Sequence, residues 1–318
     1  MTITQNTRGG AVNIGIIVPL GEQEALGRPF HYREVREFAL LSESRGLDSV
    51  WIYDHLLYRF PGRPPSAVWE GFTTWTALAE ATSRIQLGAL VLCTAFRNPA
   101  LTAKMAVTLD EISGGRIILG LGAGWHEPEF HAFGIPFDHL VDRFEEACRI
   151  IVPLVREGTV DFTGSYYSAP NCEMLPRPRR RIPVLIAAFK PRMLRLTAEF
   201  ADAWNTAWLG QVDGLASRRD ALERACAEVG RAPGSLEVTV GLNIAFPDLG
   251  TVPEQASDPK KYISGSVHEV AAGLASYAAA GVSHVICSIA PLTTESIGML
   301  ADAANQVRSQ IQTEARPV

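Results

Sequence analysis

Asp54 and His55 are the first pair in this 318-residue chain whose types and setting point to chemistry. They follow the apolar run DSVWIY, Asp48 to Tyr53. An imidazole at a strand end can donate, accept or shuttle a proton near neutral pH. Asp54 would fix the ring's orientation, contact a cofactor, or simply cap the loop. A second candidate, His126, stands in the loop Gly124-Trp125-His126-Glu127 after another apolar run. The third is the segment Ala187-Ala188-Phe189-Lys190-Pro191-Arg192, which has the parts of an anion site. Proline suits the first helical turn, the amides beside it lack intrahelical partners, and the helix dipole favours negative charge there. Lys190 and Arg192 add two positive charges, with Arg177, Arg179, Arg180 and Arg181 just upstream; solvated surface cations are the plainer account.

Other motifs fail on inspection. Gly120-Leu121-Gly122-Ala123-Gly124 follows a strand, but Trp125 occupies the position of the third dinucleotide-binding glycine. His126-Glu127-Pro128-Glu129-Phe130-His131 resembles a zinc-protease helix with its second histidine one residue late and a proline inside it. No metal site is expected. No phosphate-binding P-loop and no Gly-x-Ser-x-Gly elbow is present. His131, His139, His268 and His284 read as structural or solvent-facing.

The elements that must position these residues form a rhythm. Apolar runs at Asn13–Leu20, Asp48–Tyr53, Ile85–Leu92, Arg116–Leu121, Pro183–Ala188, Asp202–Trp208, Ser235–Phe246 and His284–Ile289 predict eight strands. Helical spacing follows each of them, as at Tyr32–Arg45, Pro99–Ile112 and Asp138–Arg156. Continuous rather than alternating apolar runs suit strands covered on both faces, and eight β–α repeats predict a closed (β/α)8 barrel. In such a barrel the site forms at the carboxyl ends of the strands. Asp54-His55, Val91 through Thr94, Gly124 to Glu127 and Ala188 to Arg192 would therefore share one mouth. The barrel is expected over 13–311 of a single domain, 1–318. Insertions are expected at 158–182, where TVDFTGSYYSA predicts a hairpin, and at 247–266, both around the C-terminal face. The six tryptophans all fall between Trp51 and Trp208, near strand ends or the loops beyond them. They would fill core or line a pocket for a flat ligand.

Composition narrows the classes. A hydrophobic fraction of 47% against 20% charged residues supplies a large core and excludes disorder as the main theme. A net charge of −5 argues against a general nucleic-acid surface. The five cysteines are scattered with no C-x-x-C pair, which suits a reducing, cytoplasmic setting rather than a disulfide framework. No apolar run approaches the ~18 residues of a membrane span.

The stretch LGALVLCTAFRNPALTAKMAVTLDEISGGRIILGLGAGWHEPEFHAFGIPF, Leu87 to Phe137, closely resembles the luciferase-like monooxygenase superfamily, its F420-dependent branch in particular. Asp54-His55, Arg143-Phe144-Glu145-Glu146, Pro183-Val184-Leu185-Ile186 and Ala201-Asp202-Ala203-Trp204-Asn205 carry the same resemblance. It implies a barrel, usually dimeric, holding a reduced flavin or deazaflavin at its mouth. It also implies His55 beside the cofactor ring and a cis peptide against it at Leu90–Val91, within Gly88 to Val91. Ala89, Leu90, Val91, Thr94 and Gly124 would line the cofactor. His126 matches a position often held by asparagine, and Ala187 to Arg192 a phosphate-binding turn that often reads Gly-Gly where this chain has Ala187-Ala188. The expected activity is F420-dependent hydride transfer with a small organic substrate, with His55 and Asp54 catalytic. The alternative is an FMNH2-dependent monooxygenase. A separate flavin or F420 reductase would supply the cofactor. The loop Leu56 to Phe72 and the insertion after residue 246 would shape substrate choice.

Overall fold

The computed structural model describes residues 12–23 and 26–314. Eight strands carry the architecture: β1 Asn13–Ile17, β2 Ser49–Ile52, β3 Gln86–Ala89, β4 Ile117–Gly122, β5 Val184–Ala187, β6 Ala203–Leu209, β7 Glu237–Ala245 and β8 His284–Ala290. Their helices are α1 Tyr32–Ser44, α2 Gly71–Ala81, α3 Pro99–Ile112, α4 Glu127–Ala132, α5 Leu140–Arg156, α6 Pro191–Phe200, α7 Leu215–Glu228, α8 Val267–Ala279 and α9 Thr294–Glu314. The fold is the (β/α)8 barrel that the alternation of apolar runs predicts. Helix starts follow local chemistry. Asn98 caps α3 ahead of Pro99, Glu70 caps α2 through the amides of Phe72 and Thr73, and Ser266 with Glu269 forms a capping box on α8. At the end of α3, Gly114 and Gly115 take φ values of +66° and +84°, the left-handed stop that Ser113-Gly114-Gly115 predicts.

The chain falls into two compact units. The first comprises Pro19–Arg36 and Ile52–Ala187. In it β4 is the middle strand, pairing in parallel with β3 (Leu87↔Ile117) and with β5 (Val184↔Leu119). Both faces of β4 are buried, as its continuous apolar sequence requires. Helix α5 buries Phe144, Ala147, Ile150, Ile151 and Leu154 on one face, the stripe its 3.6-residue period predicts. The expected hairpin forms between Thr159–Thr163 and Ser168–Glu173, four residues longer than its sequence signal. It leaves the carboxyl end of α5 and runs back along it. The Glu146 carboxylate then accepts the amides of Ser165, Tyr166 and Tyr167 at the hairpin turn.

The second unit takes β1, Glu37–Trp51 and the chain from Ala188 onward. Its strands pair in parallel in the order β6, β7, β8, β1, β2. Asn13 and Thr239 both stand opposite His284, and Gly15 stands opposite Ser49. That register places a polar layer inside the sheet. Trp51 Nε1 donates to Ser49 Oγ at 2.7 Å, and Ser49 Oγ lies 2.6 Å from His284 Nε2. Gly15 is required here, because a Cβ would collide with Ser49 Oγ. The segment after β7 holds two short 3-10 turns and the two-residue strand Ile263–Ser264. Among the described residues no helix is long and apolar enough to cross a membrane, and no group of three metal-ligating side chains forms.

Candidate active site

Strand β2 ends at Ile52, and Tyr53 turns the chain by accepting the amides of Leu20 and Gly21 on its hydroxyl. His55 follows, with its ring held from one side. Its Nδ1 lies 2.9 Å from Glu129 Oε1, and the Glu129 carboxylate is almost fully buried. Glu129 Oε2 accepts the amides of Leu56 and Leu57 at 2.7 and 3.4 Å. A carboxylate can only accept, so against one Nδ1 is the donor, and the ring tautomer that donates from Nδ1 carries its lone pair on Nε2. Among the described residues Nε2 makes no hydrogen bond, and the His55 side chain remains partly open. The pair is built as a proton-transfer group with an orienting anion behind it.

Asp54 does not orient His55, and this corrects one of the roles its position suggested. Its carboxylate is buried and accepts Cys93 N at 3.0 Å. It also receives both ends of the Arg97 guanidinium at 2.7 and 3.0 Å, and Arg97 bonds Glu70 as well. Burial drives the Asp54 carboxyl upward while the two Arg97 bonds oppose it. Arg97 is held charged above its ordinary value, its own burial outweighed by Asp54 and Glu70. Asp54 thus ties the ends of β2 and β3 to the start of α2, the loop-capping role.

His126 and Glu129 both belong to the segment that opens α4. His126 is buried, accepts the Arg59 amide on Nε2 at 3.0 Å, and has its pKa lowered, chiefly by burial. It therefore fastens the loop after His55. Gly124 enters this segment at φ +87°, and a Cβ there would come within 2.6 Å of Phe130 Cζ and 2.7 Å of Cys93 Sγ. Thr94 is buried and donates its hydroxyl to the Gly122 carbonyl at 3.2 Å.

At the end of β3 the Leu90–Val91 peptide is cis, at the bond the family resemblance marks. Leu90 N donates to Ile52 O at 2.7 Å, Ala89 is buried, and Leu90 and Val91 are half-buried. Gly120 and Gly122 of β4 leave room for this segment, since side chains there would collide with Ala89 O and Val91 Cγ2. Ala207–Trp208 is a second non-prolyl cis peptide, which sequence reading did not mark.

Ala187 closes β5 in the first unit. Ala188 to Arg192 open the second and are positioned within it. Ala188 N donates to Asn205 O, and Ala188 O accepts Trp204 Nε1 at 2.8 Å, so this alanine is pinned from both sides. Phe189 is 69% exposed. Lys190 is the N-cap of α6 with Pro191 in the first turn, and its side chain makes no cap hydrogen bond. Lys190 makes no ion pair among the described residues. Of the tryptophans, Trp51, Trp75 and Trp204 are core, whereas Trp69, Trp125 and Trp208 are exposed.

Sequence reading missed Glu129, Arg97, Glu70 and Tyr58. Glu129 lies inside the HEPEFH stretch weighed only as a zinc motif. Its signal was a second acid in the first turn of a short helix starting at Glu127, a turn that Pro128 suits after all.

The model of the luciferase-like monooxygenase family matches residues 12–250. An F420-dependent glucose-6-phosphate dehydrogenase of Amycolatopsis mediterranei is 34% identical over 188 residues, covering 57% of this chain and 55% of that protein. One from Kineococcus radiotolerans is 33% identical over 231 residues, covering 70% of this chain and 67% of that protein. This chain thus spans between about half and two thirds of the length of these relatives. Among solved structures, an F420-dependent secondary alcohol dehydrogenase in complex with an F420–acetone adduct superposes with a TM-score of 0.77 at 18% identity. That match covers 94% of this chain and 99% of the other, and shows a shared fold. The chain belongs to the luciferase-like monooxygenase family.

Proposed function

We propose that this chain is an F420-dependent oxidoreductase, transferring a hydride to or from a small organic substrate, with the accompanying proton exchanged at His55 Nε2. The single observation that carries the reading is the His55–Glu129 pair, with Nδ1 engaged and Nε2 open. The F420-dependent relatives give the same class. When bound, the deazaflavin supplies a two-electron hydride donor or acceptor, and the chain supplies orientation and proton handling. The residues fit such a group. The half-buried Leu90–Val91 edge, kept clear by Gly120 and Gly122, offers a flat apolar seat for a ring, with Ala89, Thr94 and Gly124 as its supports. Within the second unit, the first turn of α6 holds Pro191, with Lys190 as an N-cap whose side chain makes no cap bond, and it has the chemistry to hold an anionic group. Ala188, Phe189 and Arg192 would flank that group, with Ala187 preceding them in sequence. His126 and Asp54 act in this scheme by holding the loops around His55.

In the oxidative direction the substrate hydroxyl gives its proton to Nε2, and the buried Glu129 carboxylate stabilises the imidazolium that results. In the reductive direction the same nitrogen returns it. We further infer a single catalytic domain, homodimeric and cytoplasmic, with a separate reductase keeping the cofactor supplied. The family's description as monooxygenase supports a second reading, an FMNH2-dependent enzyme using O2. Oxygen dependence tests between them. Oxidation or reduction of an alcohol and ketone panel with F420 in an oxygen-free cuvette is the expected result. Product formed only with FMNH2 and O2 would overturn it.

A further inference from the structure

The substrate's chemical class is written in the rings around His55; this step rests on the proton-transfer reading above. Tyr58 lies 4.6 Å from the His55 ring, and Trp125 meets it edge-on at 5.5 Å. Phe60 stacks on Tyr58 at 6.0 Å and 15°, and His126 closes the group at 5.0 Å from both Phe60 and Trp125. Two backbone ties make this wall rigid: the Arg59 amide on His126 and the Leu56 and Leu57 amides on Glu129. Yet Trp125 is 60% exposed and Phe60 41% exposed. Neither fills core; Trp125 meets the His55 ring itself, and Phe60 is one ring removed from it, through Tyr58 and His126.

The charges nearby are spent or acidic. Glu129, Asp54 and Glu70 stand against one cation, Arg97, whose guanidinium is taken by the last two. Arg59 and Arg63 lie in the same loop but are exposed, where water weakens any hold on an anion. A phosphate or carboxylate at the wall would meet this acidic neighbourhood, whereas an uncharged ring would gain stacking and apolar burial.

We propose that Trp125 and Phe60 form the substrate-specificity wall beside His55 Nε2, and that it takes an uncharged alcohol or carbonyl compound with a flat apolar body rather than a sugar phosphate. Acetophenone and glucose 6-phosphate serve as probes, titrated calorimetrically into the F420-loaded protein, with F420 affinity measured separately by fluorescence. Acetophenone is expected to bind the native protein at least about tenfold more tightly than glucose 6-phosphate. Trp125→Ala should weaken acetophenone by about tenfold, and Phe60→Ala by a smaller factor. Because Trp125 is largely exposed, the melting temperature and F420 affinity of Trp125→Ala should stay at native values, a combination that a merely structural role would not give. Tighter binding of glucose 6-phosphate, no acetophenone binding, or full acetophenone affinity in Trp125→Ala would each overturn the proposal. Failure of the native protein to bind F420 would overturn the reading beneath it, and this one with it.

Discussion

His55 and Glu129, 74 positions apart in sequence, meet at 2.9 Å between Nδ1 and Oε1, with the carboxylate buried behind the ring. The carboxylate also gathers the amides of Leu56 and Leu57, so one side chain fixes the imidazole, its tautomer and the backbone beside it. Removing its charge while keeping its shape isolates the electrostatic part. Glu129→Gln is expected to cut turnover about 10- to 100-fold and leave F420 affinity unchanged. Steady-state rates together with a cofactor titration check this; native turnover in the variant would remove Glu129 from the proton path.

Asp54 and Arg97 predict a stability effect. Arg97→Met would strand the buried Asp54 carboxylate and leave Glu70 unpaired. Loss of one partner of a buried pair costs about 3–5 kcal/mol. Urea unfolding should show a loss of that order, and Arg97→Lys, which keeps charge but not the two-pronged geometry, should fall between. A loss below about 1 kcal/mol in Arg97→Met would mean that the pair holds little.

Two glycines separate conformation from packing. Gly124 and Gly134 both have left-handed backbones, at φ +87° and +69°. A Cβ at Gly134 meets nothing within 4 Å, whereas one at Gly124 meets Phe130 and Cys93. Gly134→Ala should cost about 1–2 kcal/mol from backbone strain alone. Gly124→Ala should cost about 1–3 kcal/mol more from overpacking. Equal losses in the two variants would contradict the packing described around Gly124.

His284 predicts an acid limb in stability. The ring is fully buried against Ser49 and Trp51, both uncharged, and burial lowers its pKa to about 3. Below its ordinary value the unfolded chain takes up a proton that the native ring refuses. Stability is therefore full above about pH 6.5 and falls as pH drops toward 3. At pH 5 the loss from this group is about 2 kcal/mol. Unfolding measured from pH 7 to 4 in the native protein and in His284→Gln should show a shallower slope in the variant. Identical slopes would place the acid sensitivity elsewhere.

How much of this was legible in the sequence follows from the range of each signal. The eight strands were readable because both their faces are buried, so each is a local apolar run, as at Ile117–Gly122. Helix stops at Gly114 and Gly115 were equally local. His55 was found by its place at a strand end. Its partner was not, because the contact between positions 55 and 129 depends on how the chain folds back and leaves no spacing pattern. The same holds for Arg97, which reaches Asp54 and Glu70 from a segment whose only visible signal was the Asn98–Pro99 helix start. Asp54 beside His55 suggested a partnership that does not form, because the Asp54 carboxylate is taken by Cys93 N and by both ends of the Arg97 guanidinium. The Glu129 signal was masked by a motif that looked like a failed metal site.

The central claim is the cofactor, and a direct titration of the purified protein with F420 and with FMN, followed by fluorescence, tests it most simply. The account predicts saturable F420 binding with FMN at least about tenfold weaker, and loss of F420 affinity in Lys190→Glu through the repulsion placed at the first turn of α6. Tight FMN binding with no F420 binding would contradict it.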